Sequence, residues 1–589
     1  MKIRIDEIVI LLVWITISCA TGHKAQALPS YEMGVALRKS LKPGFHITPE
    51  AGWMNDPNGL FVGPDGAFHV SFQWNRGAPV WGNITWAHVM SSDMVHWQRL
   101  PPAMVPDRYY DDDGVFSGSA SMQLNGQPMY MYTGVSNYSE LGYYSQVQAL
   151  AIPANASDPT YSQWIKAPAP IELPPGGTHA QFRDPVSAWE VNGTYHTIVG
   201  TQVDCIGGAS LYSSPDLFSW TLNGTFASQV GLGDGLSNGS CVPPPTPQAG
   251  MGRCDQFGQE CRMWECPDYF AVDGGWVMKW SDQERGRTPY SADWYVVSNQ
   301  EPDLLDMEGI RSSSGIFRAE YQGQPTSPQL LDFGSVYAST TFDARGRRLW
   351  AGWVYETAAG CTGTCSEGTA FFNGTGWQGV QTILRDVSID PASGHLIMLP
   401  IPELARLHEQ QLFSGKVKQL QPAELVQECQ LLCGENIHQS EVVLNFSLPA
   451  EPGPFSCGLV LDGGNATRTL IGMNGSVALH DGAHVVMQAE VYVDRTRSGP
   501  LTNTTLEGGS IPLPPGGLPT EKLALQVLID RSIVEVFALG GRGRIASRVY
   551  HVSDEDWSLS VFGQGVAAAH INAWTLGNAF SDSRAWPAD

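Results

Sequence analysis

Positive charge is scarce in this chain: 34 Lys and Arg stand against 58 Asp and Glu, a formal net charge of −24. Nucleic acid draws on clustered cations that release counterions, and anionic lipid attracts polybasic surfaces, so both partner classes are disfavoured. A neutral substrate is indifferent to this imbalance. Helical periodicity lasting more than two turns is equally rare. No glycine-rich phosphate cradle of the P-loop or dinucleotide type occurs, which argues against a nucleotide cofactor. The cysteines have no His-rich partner pattern, so zinc is not indicated. Asp107, Asp111, Asp112 and Asp113 lack the spacing and closing glutamate of a calcium loop and read as a solvated turn or pocket rim. The sequence therefore asks for no cofactor and no metal.

Apolar runs of membrane length are missing too. Ile8 to Ile17 follows Lys2 and Arg4 and is short for a bilayer. With Ala25-Gln26-Ala27 behind it, the segment reads as a secretory signal over residues 1–27; Ser18-Cys19-Ala20 is an earlier cleavage alternative. Asp6 and Glu7 are atypical there, which keeps an uncleaved anchor as the minority reading. Glycosylation sequons at Asn83, Asn137, Asn155, Asn192, Asn223, Asn238, Asn373, Asn445, Asn465, Asn474 and Asn503 point to the same export route. The expected location is outside the cell or in the cell wall. Export makes disulfides the expectation, with connectivity open. Cys205, Cys241, Cys254 and Cys261 form one cluster, Cys361 and Cys365 a second, and Cys429, Cys433 and Cys457 a third. Cys266 reads as a buried, reduced thiol.

What the chain does have is short β-like patterning. Ala67 to Phe72, Pro128 to Tyr132 and Thr194 to Val199 alternate or run apolar for four to eight residues between Gly, Pro, Asn and Asp. Such strands predict an all-β protein of propeller, barrel or sandwich type. With 589 residues, two domains are expected. Ile401 to Gln411 reads as a short helical linker, and Val442 to Leu444 and Leu523 to Leu528 as strands of a second all-β unit. The Pro- and Gly-rich stretches Cys241 to Gly252 and Gly508 to Gly517 read as surface loops.

Three carboxylate motifs carry the chemistry: Trp53-Met54-Asn55-Asp56-Pro57-Asn58-Gly59, Arg183-Asp184-Pro185 and Trp264-Glu265-Cys266-Pro267-Asp268. Pro57 restrains Asp56, and Asn58-Gly59 is a turn signal. Glu265 sits among apolar neighbours that favour a protonated acid, and Arg183 is placed to keep Asp184 ionised. Alone, Asn-Asp-Pro is a turn and Arg-Asp a surface ion pair. Three acids in aromatic surroundings suit glycosidic bond cleavage, which uses paired carboxyl groups.

In this order, the motifs resemble glycoside hydrolase family 32, the invertases and fructan hydrolases. The likeness runs from about Gly44 to about Trp574. It includes Phe72-Gln73-Trp74-Asn75, Trp81-Gly82-Asn83, Phe116-Ser117-Gly118-Ser119, Gly376 to Gln381, Val534 to Phe537 and Ser547 to Tyr550. Trp-Glu-Cys-Pro-Asp is more similar to the cell-wall type than to the vacuolar type.

The resemblance implies a five-bladed β-propeller over residues 43–400, a linker at 401–411 and a β-sandwich over 412–578. It implies a retaining mechanism with Asp56 as nucleophile, Glu265 as acid/base and Asp184 holding sugar hydroxyls. Asn55, Gln73 and Ser117 match fructosyl-binding positions, Trp53, Trp81 and Phe116 the aromatic wall; Arg183 joins them. Trp86, His88 and Trp97 are read as packing. The expected partner is a small sugar, sucrose first. Departures gather around the leaving-group side: Trp74 and Arg76, Ala87, Phe116 where plant invertases carry Trp, and the stretch Lys279 to Gln283 with Asp282. A fructan exohydrolase, a fructosyltransferase and a silent carbohydrate-binding or invertase-regulating protein remain the alternatives.

Overall fold

The computed structural model describes residues 40–580 save 169–170, 204–205, 233–262, 283–291, 359–360, 363, 366–368, 427–430, 435–436, 450, 464–466, 500, 503–504 and 552–556. The export segment, Cys205, Cys241, Cys254, Cys261, Cys429 and the loop Cys241 to Gly252 lie outside the described residues.

The turn signals cut the first four hundred residues into strands that pair antiparallel with their chain neighbours. The first sheet runs Gly52–Val62, Phe68–Asn75, Thr85–Ser91 and Gln98–Met104. The second runs Gly114–Met122, Pro128–Ser136, Ser145–Pro153 and Trp164–Pro168. Thr194–Val203, Ile206–Ser214 and Thr221–Ser228 build the third, with Phe182–Arg183 and Trp189–Val191 on its inner edge. Trp264–Val272, Gly275–Asp282, Ala292–Ser298 and Gln329–Leu330 make the fourth; Val336–Asp343, Arg348–Val354, Arg385–Ile389 and Leu396–Pro400 make the fifth. These are the five blades of a β-propeller. The ring is tied by one short segment: Trp377–Gln378 pairs parallel with the first blade's inner strand, while Val380–Gln381 pairs with Arg348–Val354 of the last. Blade strands such as Phe68–Asn75, the second of the first blade, are buried along nearly their whole length, because each blade packs on two neighbours.

A 3-10 turn over Pro402–Leu407 follows, and strand His408–Lys418 starts inside the stretch read as a linker. It opens a sandwich of one six-stranded and one seven-stranded sheet. Here alternation is clean: Val442, Leu444 and Phe446 from one sheet meet Cys457, Leu459 and Leu461 from the other in a dry core. Cys457 is therefore a free thiol inside that core, not a member of a disulfide cluster. Cys433 is disulfide-bonded, and Cys361 is bridged to Cys365.

The two domains meet through buried charge. Arg548 of the sandwich donates to Glu356 of the propeller, which also accepts from Tyr550 at 2.8 Å. Arg385 of the propeller reaches Glu535 at 2.6 Å and Asp332 at 2.7 Å. Every partner is buried and hydrogen-bonded across the junction or beside it, which fixes the relative placement of the domains.

Candidate active site

A bulge in each of four inner strands re-aims a side chain into the propeller funnel. Register shifts fall between Met54 and Pro57, between Phe116 and Gly118, between Glu265 and Asp268, and between Tyr337 and Thr340. Bulges of this kind turn a strand residue away from regular alternation. Two site residues also adopt left-handed backbone, Asp184 at φ 66° and Cys266 at φ 40°, which side chains enter only when surroundings enforce it.

The bulges and the Arg183-Asp184 turn converge on a cavity of about 450 Å³. Nine of the ten residues singled out from the sequence line it: Trp53, Asn55, Asp56, Gln73, Trp81, Phe116, Arg183, Asp184 and Glu265. Ser117 does not, yet its hydroxyl donates to Asp56 Oδ2 at 2.5 Å.

Asp56 is held by a relay. Trp53 Nε1 donates to Asn55 Oδ1 at 2.8 Å, and Asn55 Nδ2 donates to both Asp56 Oδ1 and Gln73 Oε1, at 3.1 and 2.7 Å. Gln73 Nε2 donates to Ser117 Oγ at 2.6 Å, closing the loop. Gln381 fixes the Asn55 carbonyl at 2.6 Å. Such mutual bonding leaves the carboxylate one orientation.

Across the cavity, Arg183 Nη2 donates to Glu265 Oε1, and the Tyr337 hydroxyl donates to Oε2. Arg183 Nη1 donates to Gln146 and Gln181, each at 3.2 Å. Only its Nε approaches Asp184 Oδ2, at 3.9 Å. The two expectations about charge are thus corrected. Trp264 does not surround Glu265; strand alternation turns it to the other face, where it stacks on Trp280 at 4.4 Å. Arg183 does not keep Asp184 in the ordinary carboxylate range: burial dominates and pushes Asp184 up to about 6, with Arg183 opposing and Glu265 adding to the rise. Asp184 accepts from the Cys266 backbone N–H at 2.9 Å. Burial, and next the charge of Asp184, push Asp56 up to about 7, against the bonds from Ser117 and Asn55. The buried Cys266 thiol lies 3.6 Å from Asp56 Oδ2 and 3.7 Å from Asp184 Oδ2, and its own ionisation is pushed upward by burial.

Aromatic rings form the rim. Trp81, 42% exposed, packs edge-on against Phe116 and Tyr144, both at 5.7 Å. Trp53 meets Trp353 at 5.4 Å. Tyr143, Tyr144, Gln146, Gln181, Tyr337 and Trp353 line the cavity without having been read from the sequence. A tyrosine pair in a polar loop was the one available signal. Asp282 is buried and does not line the cavity. His88 lies in the first blade, bonded to His69 at 3.0 Å, and Trp86 and Trp97 are packed as expected. Asp111 is engaged by Tyr132 and Lys166, at 2.8 and 2.7 Å.

Three carboxyl groups at the foot of an aromatic-walled funnel define a glycoside hydrolase. The N-terminal domain model of glycosyl hydrolases family 32 matches residues 46–236 and 251–400, and the family's C-terminal model matches 408–575. The chain belongs to this family. An acid beta-fructofuranosidase of Solanum lycopersicum is 31% identical over 93% of this chain and 84% of its own length. A cell wall isozyme of beta-fructofuranosidase from Zea mays is 28% identical, over 94% and 92%. Among solved structures, fructan 1-exohydrolase IIa of Cichorium intybus superposes with a TM-score of 0.71 at 27% identity, covering 92% of this chain and 99% of its own.

Proposed function

We infer that the chain is a retaining β-fructofuranosidase that hydrolyses sucrose to glucose and fructose. The observation that carries this reading is the meeting of Asp56, Asp184 and Glu265, from three blades, in one sugar-sized cavity. Asp56 attacks the anomeric carbon of the fructosyl unit from its braced position, and Glu265 protonates the leaving glucosyl oxygen. Water, deprotonated by the same glutamate, then releases fructose from Asp56. Asp184 takes sugar hydroxyls and stabilises the oxocarbenium-like state.

The mechanism needs one proton on the acid cluster, and the raised values of Asp56 and Asp184 supply it. With a substrate seated, that proton has to reside on Glu265 while Asp56 is charged. Trp81, Phe116 and Tyr144 offer apolar faces for the leaving unit. Export to the cell wall and glycosylation of the sequons complete the reading, supported by the N-terminal pattern and the Zea mays relative.

Purified protein given sucrose is expected to release glucose and fructose in equal amounts, with none from Asp56→Ala. Intact sucrose together with release of fructose from inulin or levan would move the reading to a fructan exohydrolase, a reading favoured by the Cichorium intybus neighbour. Inactivity on all three would leave a carbohydrate-binding protein.

A further inference from the structure

The inner strands of the propeller have two ends, and the chemistry above uses one. Gly52–Val62 gives Asp56 to the active-site cavity and Leu60 to Val62 to another; Trp264–Val272 gives Glu265 to the first and Asp268 to Ala271 to the second. Gly114–Met122 and Val336–Asp343 divide in the same way. The second cavity therefore lies at the opposite mouth of the propeller axis. Its volume is about 840 Å³, larger than the active-site cavity.

Three features of its wall belong together. Trp189, Tyr269 and Trp276 are only partly buried there, leaving ring surface in the cavity, and Trp189 and Tyr269 lie 4.8 Å apart. Arg348 enters from the fifth blade and lies over the Phe270 ring at 5.3 Å. Its Nε is buried and has no hydrogen-bond partner among the described residues. The neighbouring acid, Asp268, turns its Oδ2 to the backbone N–H and hydroxyl of Thr341, at 2.7 and 2.8 Å. A buried guanidinium donor left unsatisfied is costly, and a ligand oxygen would satisfy it. Glu190 and Asp343, both exposed, supply acceptors on the same wall.

Charge narrows the ligand class. Four lining acids, Glu190, Asp268, Glu301 and Asp343, face two arginines, Arg345 and Arg348, a formal balance of 2 − 4 = −2. Anions are disfavoured, and a compact cation would meet Arg348. Ring faces, a donor and carboxylate acceptors in one wall match a neutral compound with apolar faces and many hydroxyls. We propose that this far mouth is a second carbohydrate-binding site, which takes a neutral oligosaccharide and plays no part in bond cleavage. It gives the enzyme a hold on a glycan while the funnel stays open to substrate. The proposal does not rest on the sucrose reading, because its wall shares no residue with the active-site cavity.

The test is calorimetric titration of the full chain carrying Asp56→Ala, with an inulin-type tetrasaccharide and with cellotetraose. A second class of sites with millimolar Kd is expected for at least one probe; which probe it is separates a fructan from a β-glucan source. Arg348→Ala and Trp276→Ala should each weaken that class roughly tenfold. In the otherwise unchanged enzyme, both should leave turnover within about twofold. Trp276→Ala, at a half-buried wall position, serves if Arg348→Ala fails to fold. A single class of sites for both probes overturns the proposal, as does a second class that Trp276→Ala leaves unchanged. Loss of hydrolysis in the parent enzyme would sink the catalytic reading while leaving this binding measurement intact.

Discussion

The guanidinium of Arg183 donates to Glu265, contributed by the next blade, and stands 3.9 Å from its chain neighbour Asp184. With Tyr337 it occupies both oxygens of Glu265, so the group assigned to proton transfer is aimed before substrate arrives. Glu265→Gln keeps the shape and removes the proton; turnover of sucrose should fall roughly a hundred- to ten-thousand-fold with the fold unchanged. Steady-state kinetics beside circular dichroism would check this. An undiminished rate would take Glu265 out of its role.

Arg183→Lys should be a poor replacement despite its charge. The guanidinium serves Glu265, Gln146 and Gln181 from one planar fork, which a single ammonium cannot match. A drop in kcat of roughly tenfold or more, with smaller change in KM, is expected because an aiming group acts on the chemical step. A rise in KM alone would instead make Arg183 a substrate contact.

Asp56 gives a stability prediction of definite sign. Its carboxyl is pushed from 3.8 to about 7 by burial and then by Asp184, so ionisation opposes folding. The folded state binds the proton more tightly than the unfolded chain does, and the penalty grows as pH rises from about 4 through about 7. Asp56→Asn should therefore raise the melting temperature at pH 8 and lose that advantage below pH about 4, while abolishing activity. An equal effect at both pH values would refute the electrostatic cause.

The same values set the activity profile. The last proton of the cluster leaves near the value of Asp56, about 7, so kcat/KM on sucrose should fall as pH rises beyond it. A plateau extending to pH 9 would contradict this assignment.

The three acids were legible because each stands in a short motif with proline two residues away or fewer, and turn chemistry is written locally. The short apolar runs Val442 to Leu444 and Leu523 to Leu528 also showed two strands of the sandwich. What stayed hidden depends on neighbours remote in sequence. Tyr337 and Trp353 come from ordinary strand patterns, and nothing local tells which of their faces meets the funnel. The partner of Arg183 was misassigned for the same reason: the strand ends at Arg183, Asp184 adopts left-handed backbone, and the guanidinium meets Glu265 of the next blade. The bulges that aim Asp56, Ser117 and Glu265 are properties of strand pairs, not of single strands.

His46 shows what such remote pairing does for the domain junction. Its Nδ1 lies 2.8 Å from Asp530 and its Nε2 3.0 Å from Glu535, which also carries Arg385. Burial alone would lower its pKa; the hydrogen bonds and charges of Asp530 and Glu535 outweigh it and raise it to about 9. A raised histidine stabilises the fold fully below the unfolded value of 6.5, and the contribution is lost as pH climbs through about 9. Removing the cation by His46→Ala leaves three buried carboxylates, Asp530, Glu535 and Asp332, with the single arginine Arg385, which bonds Glu535 and Asp332, and losing one partner of such a group costs about 3–5 kcal/mol. Urea unfolding of wild type and His46→Ala at pH 6 and pH 10 should show a gap that is wide at the lower pH and narrow at the higher one. A gap of constant width would mean that His46 acts by shape alone.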